Sequence, residues 1–205
     1  MKEITNIEKI GRGDRYRLFV DDNLFGVFEA EILARHSLKT GMQKDDEFFQ
    51  ELLIENGDYA CFNRGLNLLE KSMKTEKMLK DYLREKGYPR SCIEKAVEKL
   101  KEYGYINDST FCESYIASYL QSKSKRKIKY DLLSKGVKES IVDELLESFD
   151  EEDEQEKCLK FARKYMKGKT FDLKTKQKFY NHLAGKGYEF SQIATAWERI
   201  EKEDV

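Results

Sequence analysis

The chain has 205 residues and a mass of 24.2 kDa, with 38 Lys+Arg against 39 Asp+Glu and a formal net charge of −1. An apolar fraction of 40%, with 12 Phe and 12 Tyr, is too rich for a disordered polyelectrolyte, and no apolar run approaches the roughly 18 residues that a membrane span requires. The start, Met1-Lys-Glu-Ile-Thr-Asn, lacks a secretory pattern, and the four cysteines, Cys61, Cys92, Cys112 and Cys158, include no C-x-x-C pair, so a cytoplasmic protein without disulfides or zinc is expected.

The first 28 residues read as strands. Ile4, Ile7 and Ile10 lie among polar residues, Gly11-Arg-Gly-Asp14 makes a turn, and Tyr16, Leu18 and Val20 alternate with their neighbours. Asp21-Asp-Asn23 is a second turn before Leu24-Phe-Gly-Val-Phe28. Together they predict an antiparallel meander too small to be stable unless it packs on something else. Residues 29–56 look helical in two pieces split by Lys39-Thr-Gly41. From Gly57 onward the spacing is helical throughout, with stripes such as Phe62, Leu66, Leu69, Met73 and Ile93, Ala96, Val97, Leu100, and later Ile141, Val142, Leu145, Leu146, Phe149. Thr75, Asp108 and Asp172 are candidate N-caps.

Glycines after basic residues mark helix ends and expose a repeat. Leu83-Arg-Glu-Lys-Gly87-Tyr88 matches Leu132-Leu-Ser-Lys-Gly136-Val137 and Leu183-Ala-Gly-Lys-Gly187-Tyr188, with the glycines 49 and 51 residues apart. Each is followed by an apolar helix start, Ile93 at +6, Ile141 at +5 and Ile193 at +6. The expected fold is mainly α, with three tandem three-helix repeats forming an elongated curved rod after a small N-terminal antiparallel β element. The expected division is 1–56 for the β element and short helices, then 57–107, 108–150 and 151–205 for the repeats. Units of this size gain stability by stacking on neighbours and offer long faces to a large partner.

The signs of charge are segregated. Lys123, Lys125, Arg126, Lys127 and Lys129 crowd into seven residues, residues 143–156 hold nine acids and no base, and residues 157–178 hold nine bases against Asp172 alone. So dense a basic cluster repels itself unless a partner neutralises it, which makes those five residues the candidate partner- or DNA-binding site. If all five engaged duplex phosphates, log affinity would fall against log salt with a slope of about −4.5. His36 and His182 have no partner at telling spacing, and each cysteine lies in or beside an apolar stripe, as a buried structural thiol does. Tyr88, Tyr105 and Tyr188 follow glycines and are expected to close helix ends. No catalytic, cofactor or metal constellation is read, and a non-enzymatic protein is expected.

The residues resemble the RecX family of regulatory proteins, bacterial modulators of the RecA recombinase. The resemblance runs through residues 60–69, Lys74-Thr-Glu-Lys-Met-Leu-Lys-Asp-Tyr-Leu-Arg-Glu-Lys-Gly-Tyr88, residues 93–100, and Gly104-Tyr-Ile-Asn-Asp108 with Phe111 and Tyr115. Lys125-Arg-Lys-Ile-Lys-Tyr-Asp-Leu-Leu-Ser-Lys-Gly136 completes it, and residues 57–205 are covered. Ser122-Lys-Ser124 stands where many members carry glycine. The resemblance implies a non-enzymatic protein that binds the RecA–DNA filament, lodges in its helical groove and restrains strand exchange, coprotease activity and ATP turnover in DNA repair and the SOS response; a monomer without a cofactor is expected. The alternative is a DNA-binding helical repeat protein acting through the basic cluster Lys123–Lys129, with single- or double-stranded DNA as a weakly bound partner, and no membrane partner is expected.

Overall fold

The computed structural model describes residues 1–149 and 153–203, the side chain of Phe149 excepted, so the expected boundary at 150/151 and part of the acidic block lie outside the described residues. The chain forms two compact units, residues 1–106 and 107–205.

In the first unit, β1 (Lys2–Lys9), β2 (Arg15–Val20) and β3 (Asn23–Glu29) form the expected antiparallel meander. Asp21 and Asp22 both have positive φ, the signature of the two-residue turn whose twist matches that of paired strands. After α1 (Ala30–Arg35), a two-residue strand β4 (Gln43–Lys44) pairs with the start of β1, giving the order β3-β2-β1-β4. The reading of 29–56 as purely helical is corrected here, because two residues carry no period from which a strand can be read.

Helix α2 (Asp46–Leu69) then runs unbroken through Gly57, so the boundary expected between 56 and 57 falls in mid-helix. Its N-terminal half buries Phe49 and Leu52 with Ile4, Leu18 and Phe28 of the sheet and Ile32 of α1. Its C-terminal half supplies Cys61 to a second core with Leu79, Leu83, Ile93, Val97 and Leu100. One helix thus serves two cores, and the β element gains the support that a bare meander lacks. The second core is closed by α3 (Glu76–Glu85) and α4 (Arg90–Glu102). Gly65 sits where α2 meets α4, since a Cβ there would lie 2.9 Å from Leu100.

The second unit holds two further three-helix modules. The first comprises α5 (Asp108–Tyr119), α6 (Lys125–Ser134) and α7 (Glu139–Phe149), and the second α8 (Glu154–Met166), α9 (Leu173–Gly185) and α10 (Phe190–Glu203). Thr75 caps α3 and Asp172 caps α9 as expected. For α5 the cap is Asn107, whose side chain accepts from the N–H groups of Ser109 and Thr110, and Asp108 is the first helical residue. The repeat is more regular than its sequence reading. Val142 is fully buried while Ile141 is only partly so, which places the third-helix apolar anchor at +6 from the glycine in all three modules.

The Leu-x-x-Lys-Gly-apolar pattern is a Schellman closure. Tyr88, Val137 and Tyr188 donate their N–H groups to the carbonyls of Leu83, Leu132 and Leu183, while Gly87, Gly136 and Gly187 donate to Arg84, Leu133 and Ala184. All three glycines have positive φ, and the three leucines are fully buried. Gly187 carries a second constraint, because its Cα lies against the start of α6. A Cβ there would overlap that of Lys127, fall 2.5 Å from the Ser124 hydroxyl and reach the Lys127 backbone at 3.1 Å.

Gly87→Ala, which meets nothing within 4 Å, is expected to cost only the left-handed strain, about 1–2 kcal/mol. Gly187→Ala adds overpacking against α6 and is expected to cost about 2–5 kcal/mol. Urea denaturation of the two variants checks this; equal losses would mean that the contact at Gly187 relaxes freely.

Candidate interaction surface

The basic cluster occupies the entry and first turns of α6. Ser124, almost fully buried, caps the helix by accepting from the Lys127 N–H, and its own N–H donates to the Lys186 carbonyl 3.0 Å away. Three cations at the positive end of a helix dipole are unfavourable unless anions stand nearby. Glu154 accepts from the Lys125 backbone N–H at 3.2 Å, and Arg126 pairs with Glu189 at 3.1 Å. Asp131 is the hub. Its carboxylate is 2.7 Å from the Lys123 ammonium and 2.9 Å from that of Lys127, and it accepts from the Tyr115 hydroxyl at 3.0 Å. Lys123 also lies 4.0 Å from the Tyr119 ring centre. Lys129 reaches from α6 to α7, 2.8 Å from Glu139 and 2.7 Å from Asp143.

The premise that an external partner must neutralise the cluster is therefore corrected: carboxylates of the same chain do so. Asp131 and Asp143 come from α6 and α7, and Glu154 and Glu189 from the next module. Lys123, Arg126, Lys127 and Lys129 are held in side-chain ion pairs, and these four separate by exposure. The Lys123, Lys127 and Lys129 side chains are a third exposed or less, whereas Arg126 is 68% exposed. Beside Arg126, a groove lined by Lys127, Tyr130 and Phe190 separates α6 from the α9–α10 turn, and the two rings are 67% and 72% exposed. Helical spacing puts Phe190 on the buried stripe of Ile193, Trp197 and Ile200, and the structure corrects that, since the ring lies at the first turn of α10 and faces outward; Tyr130 belongs to no stripe.

The other sequence candidates resolve as follows. His36 lies 2.6 Å from Glu55, a pairing across 19 residues that spacing did not reveal. The hydrogen bond to His36 is the main cause holding Glu55 below the usual carboxylate range. His182 stacks on Tyr165 with centroids 4.6 Å apart. All four cysteines are buried free thiols; burial pushes Cys61 and Cys158 up to about 12 and Cys112 to about 11. They are protonated at neutral pH and pack as small apolar groups. Tyr188 is buried and Tyr88 partly so, as a helix-closing contact requires. Tyr105 is 49% exposed, so only its backbone N–H, donated to the Leu100 carbonyl, closes α4. Among the described residues no cluster of His, Cys, Asp and Glu could hold a metal ion, and no helix is long and apolar enough to cross a membrane.

Comparison with known proteins supplies matches in chain order. The first three-helix domain of RecX matches residues 61–100, the second residues 107–146 and the third residues 151–197. A regulatory protein RecX of Clostridium perfringens is 37% identical over 195 residues, covering 93% of this chain and 92% of that one. Its namesake in Clostridium acetobutylicum is 33% identical over 208 residues, covering 98% and 97%. A crystal structure of a regulatory protein RecX superposes with a TM-score of 0.64 at 24% identity, covering 97% of this chain and 100% of that one. At that identity the superposition speaks for the fold. RecX from Lactobacillus salivarius gives a TM-score of 0.57 over 72% of this chain and 98% of its own.

Asp131 generates a pH test. Burial pushes its carboxyl up, but hydrogen bonds from Lys123, Lys127 and Tyr115 outweigh that and hold it at about 2, against an ordinary 3.8. A lowered carboxyl contributes stability above its unfolded pKa and loses it as pH falls through the folded one. The contribution, about 2 kcal/mol, is expected to be nearly complete above about pH 4 and to fade as pH falls through about 2. Asp131→Asn should remove it at neutral pH and flatten that part of the acid limb, read as urea midpoints at pH 7 and between pH 4 and 2.

Proposed function

The chain belongs to the RecX family of regulatory proteins, and from that premise we propose that it regulates a RecA recombinase by binding the filament that the recombinase forms on DNA. The binding restrains strand exchange, ATP turnover and coprotease activity in DNA repair and the SOS response. The observation that carries the reading is the match of all three family domains, in order, to three helical modules that each bury a core of their own. Regulation of this kind needs no bond to be made or broken. A protein that binds one state of a filament better than another shifts the population by that difference in affinity.

Within this reading, the outward side of α6 is the contact. Exposed pairs such as Arg126–Glu189 are worth about 0–1 kcal/mol, so a partner's carboxylate can replace Glu189 at little cost. Lys123, Lys127 and Lys129 instead fasten α6 to its own module. Charge complementarity of this sort sets orientation and encounter rate more than raw affinity.

The test is DNA-dependent ATP hydrolysis by the recombinase of the same organism. Inhibition is expected well below one chain per recombinase subunit. Lys125→Glu with Arg126→Glu is expected to raise the half-inhibitory concentration about tenfold, a change of about 1.4 kcal/mol, with helical circular dichroism unchanged. Undiminished hydrolysis in the presence of equimolar folded protein would remove the proposal.

A further inference from the structure

The third module holds a second concentration of positive charge, and its chemistry is unlike that of α6. Lys164, Lys167, Lys169, His182 and Lys186 converge on a cavity of about 480 Å³ beside the C-terminal ends of α8 and α9. Among the described residues no carboxylate lines it, and Lys164, Lys167 and Lys169 form no ion pair. The cations rest on aromatic rings instead. Lys169 lies 3.1 Å from the Tyr165 ring centre and Lys186 lies 4.4 Å from that of Phe161, while His182 stacks on Tyr165. The Lys186 ammonium also donates to the Ser122 carbonyl at 3.0 Å. The nearby Arg163 is engaged by Glu203 at 2.7 Å and stands outside this lining.

We propose that this cavity is a site for the phosphate oxyanions of a nucleic-acid backbone. Uncompensated like charges gathered in one concavity focus a positive potential, and an anion is what relieves it. The cations feel that potential themselves. Burial and then the charge of Lys164 hold Lys186 below its ordinary value; burial and then Lys186 and Lys169 do the same to His182. The lining offers lysines and no arginine, mobile point charges that meet successive phosphate oxyanions without the fixed bidentate geometry of a guanidinium, as contact with a flexible, evenly charged backbone requires. The Tyr165 ring is already engaged by His182 and Lys169, so bases find no free stacking platform there, and the contact is blind to sequence. The α6 cluster, by contrast, has its carboxylates in place. This inference concerns DNA alone and stands or falls without the recombinase.

The experiment is fluorescence anisotropy of a labelled single-stranded oligonucleotide with the full chain, over a salt series and with no recombinase present. Four lysine contacts predict a slope of log affinity against log salt of about −2.8 on a single strand. Lys164→Gln, Lys167→Gln and Lys169→Gln combined should reduce that slope by about 2 and weaken low-salt binding roughly tenfold or more. All three side chains are exposed, so the variant is expected to keep its thermal midpoint. Lys174→Gln, Lys178→Gln and Lys202→Gln combined make the same charge change on exposed residues outside the cavity and should leave the slope intact. Absence of low-salt binding by the unmodified chain, or equal losses in the two triple variants, overturns the site. Stronger displacement by polyglutamate than by unlabelled oligonucleotide of equal charge would reassign it to an acidic polypeptide.

Discussion

Each module turns from its second helix to its third on a glycine whose positive φ lets two successive N–H groups double back onto carbonyls of the helix just ended. The same turn brings the residue after the glycine over the leucine five positions before that residue, so backbone closure and core burial are one event. The exit direction of the chain is then settled, and the apolar residue at +6 meets the core from the third helix. Leu83, Leu132 and Leu183 are the fixed points about which three otherwise different cores are built, one rich in cysteine, one aliphatic and one aromatic. At Gly187 the closure does double duty. The space that a side chain would occupy is filled by Ser124 and Lys127, so the turn of the third module also seats the start of α6 in the second.

That constraint explains which features were legible in the sequence. Helical stripes, the C-terminal glycines and the strand alternation around Leu18 and Val20 are local signals, enforced by local geometry, and the structure follows them. The departures arise where a signal was short or its cause was distant. β4 is two residues long and takes its strand form from pairing with Lys2 and Glu3, some 40 residues earlier in the chain. α2 continues through Gly57 because the helix is shared between two cores, a tertiary gain larger than the roughly 1 kcal/mol that a mid-helix glycine costs. The choice of Asn107 over Asp108 as cap turns on one residue of backbone conformation, and both side chains suit the role.

The candidate site was half legible for a related reason. Charge density along the chain located the cations of α6, since density is a property of neighbours in sequence. Their neutralisation depends on Asp143, Glu154 and Glu189, which lie between 14 and 63 residues away from the residues they serve. The histidines show the same asymmetry: Glu55 is the partner of His36 only because α2 packs beside the turn after α1. A cluster in sequence is therefore a statement about local repulsion, and the fold decides whether that repulsion is relieved inside the molecule or left for a ligand.

Applied to the whole charge pattern, this distinction separates two kinds of lysine that composition cannot tell apart. Those of α6 are structural cations with an exposed margin at Arg126. Those around Tyr165 are structurally unrequited, held by ring faces and by the backbone. A net charge of −1 conceals the difference because the excess acids and the excess bases occupy different stretches of the same chain. On the proposed function, the chain meets a filament of protein wound on nucleic acid and so faces two electrostatic textures at once, one of mixed sign and one uniformly negative. A paired surface that can exchange partners suits the first. A cavity of unpaired cations suits the second, and placing the two in adjacent modules allows each to be tuned by substitution without disturbing the closures on which the helices depend.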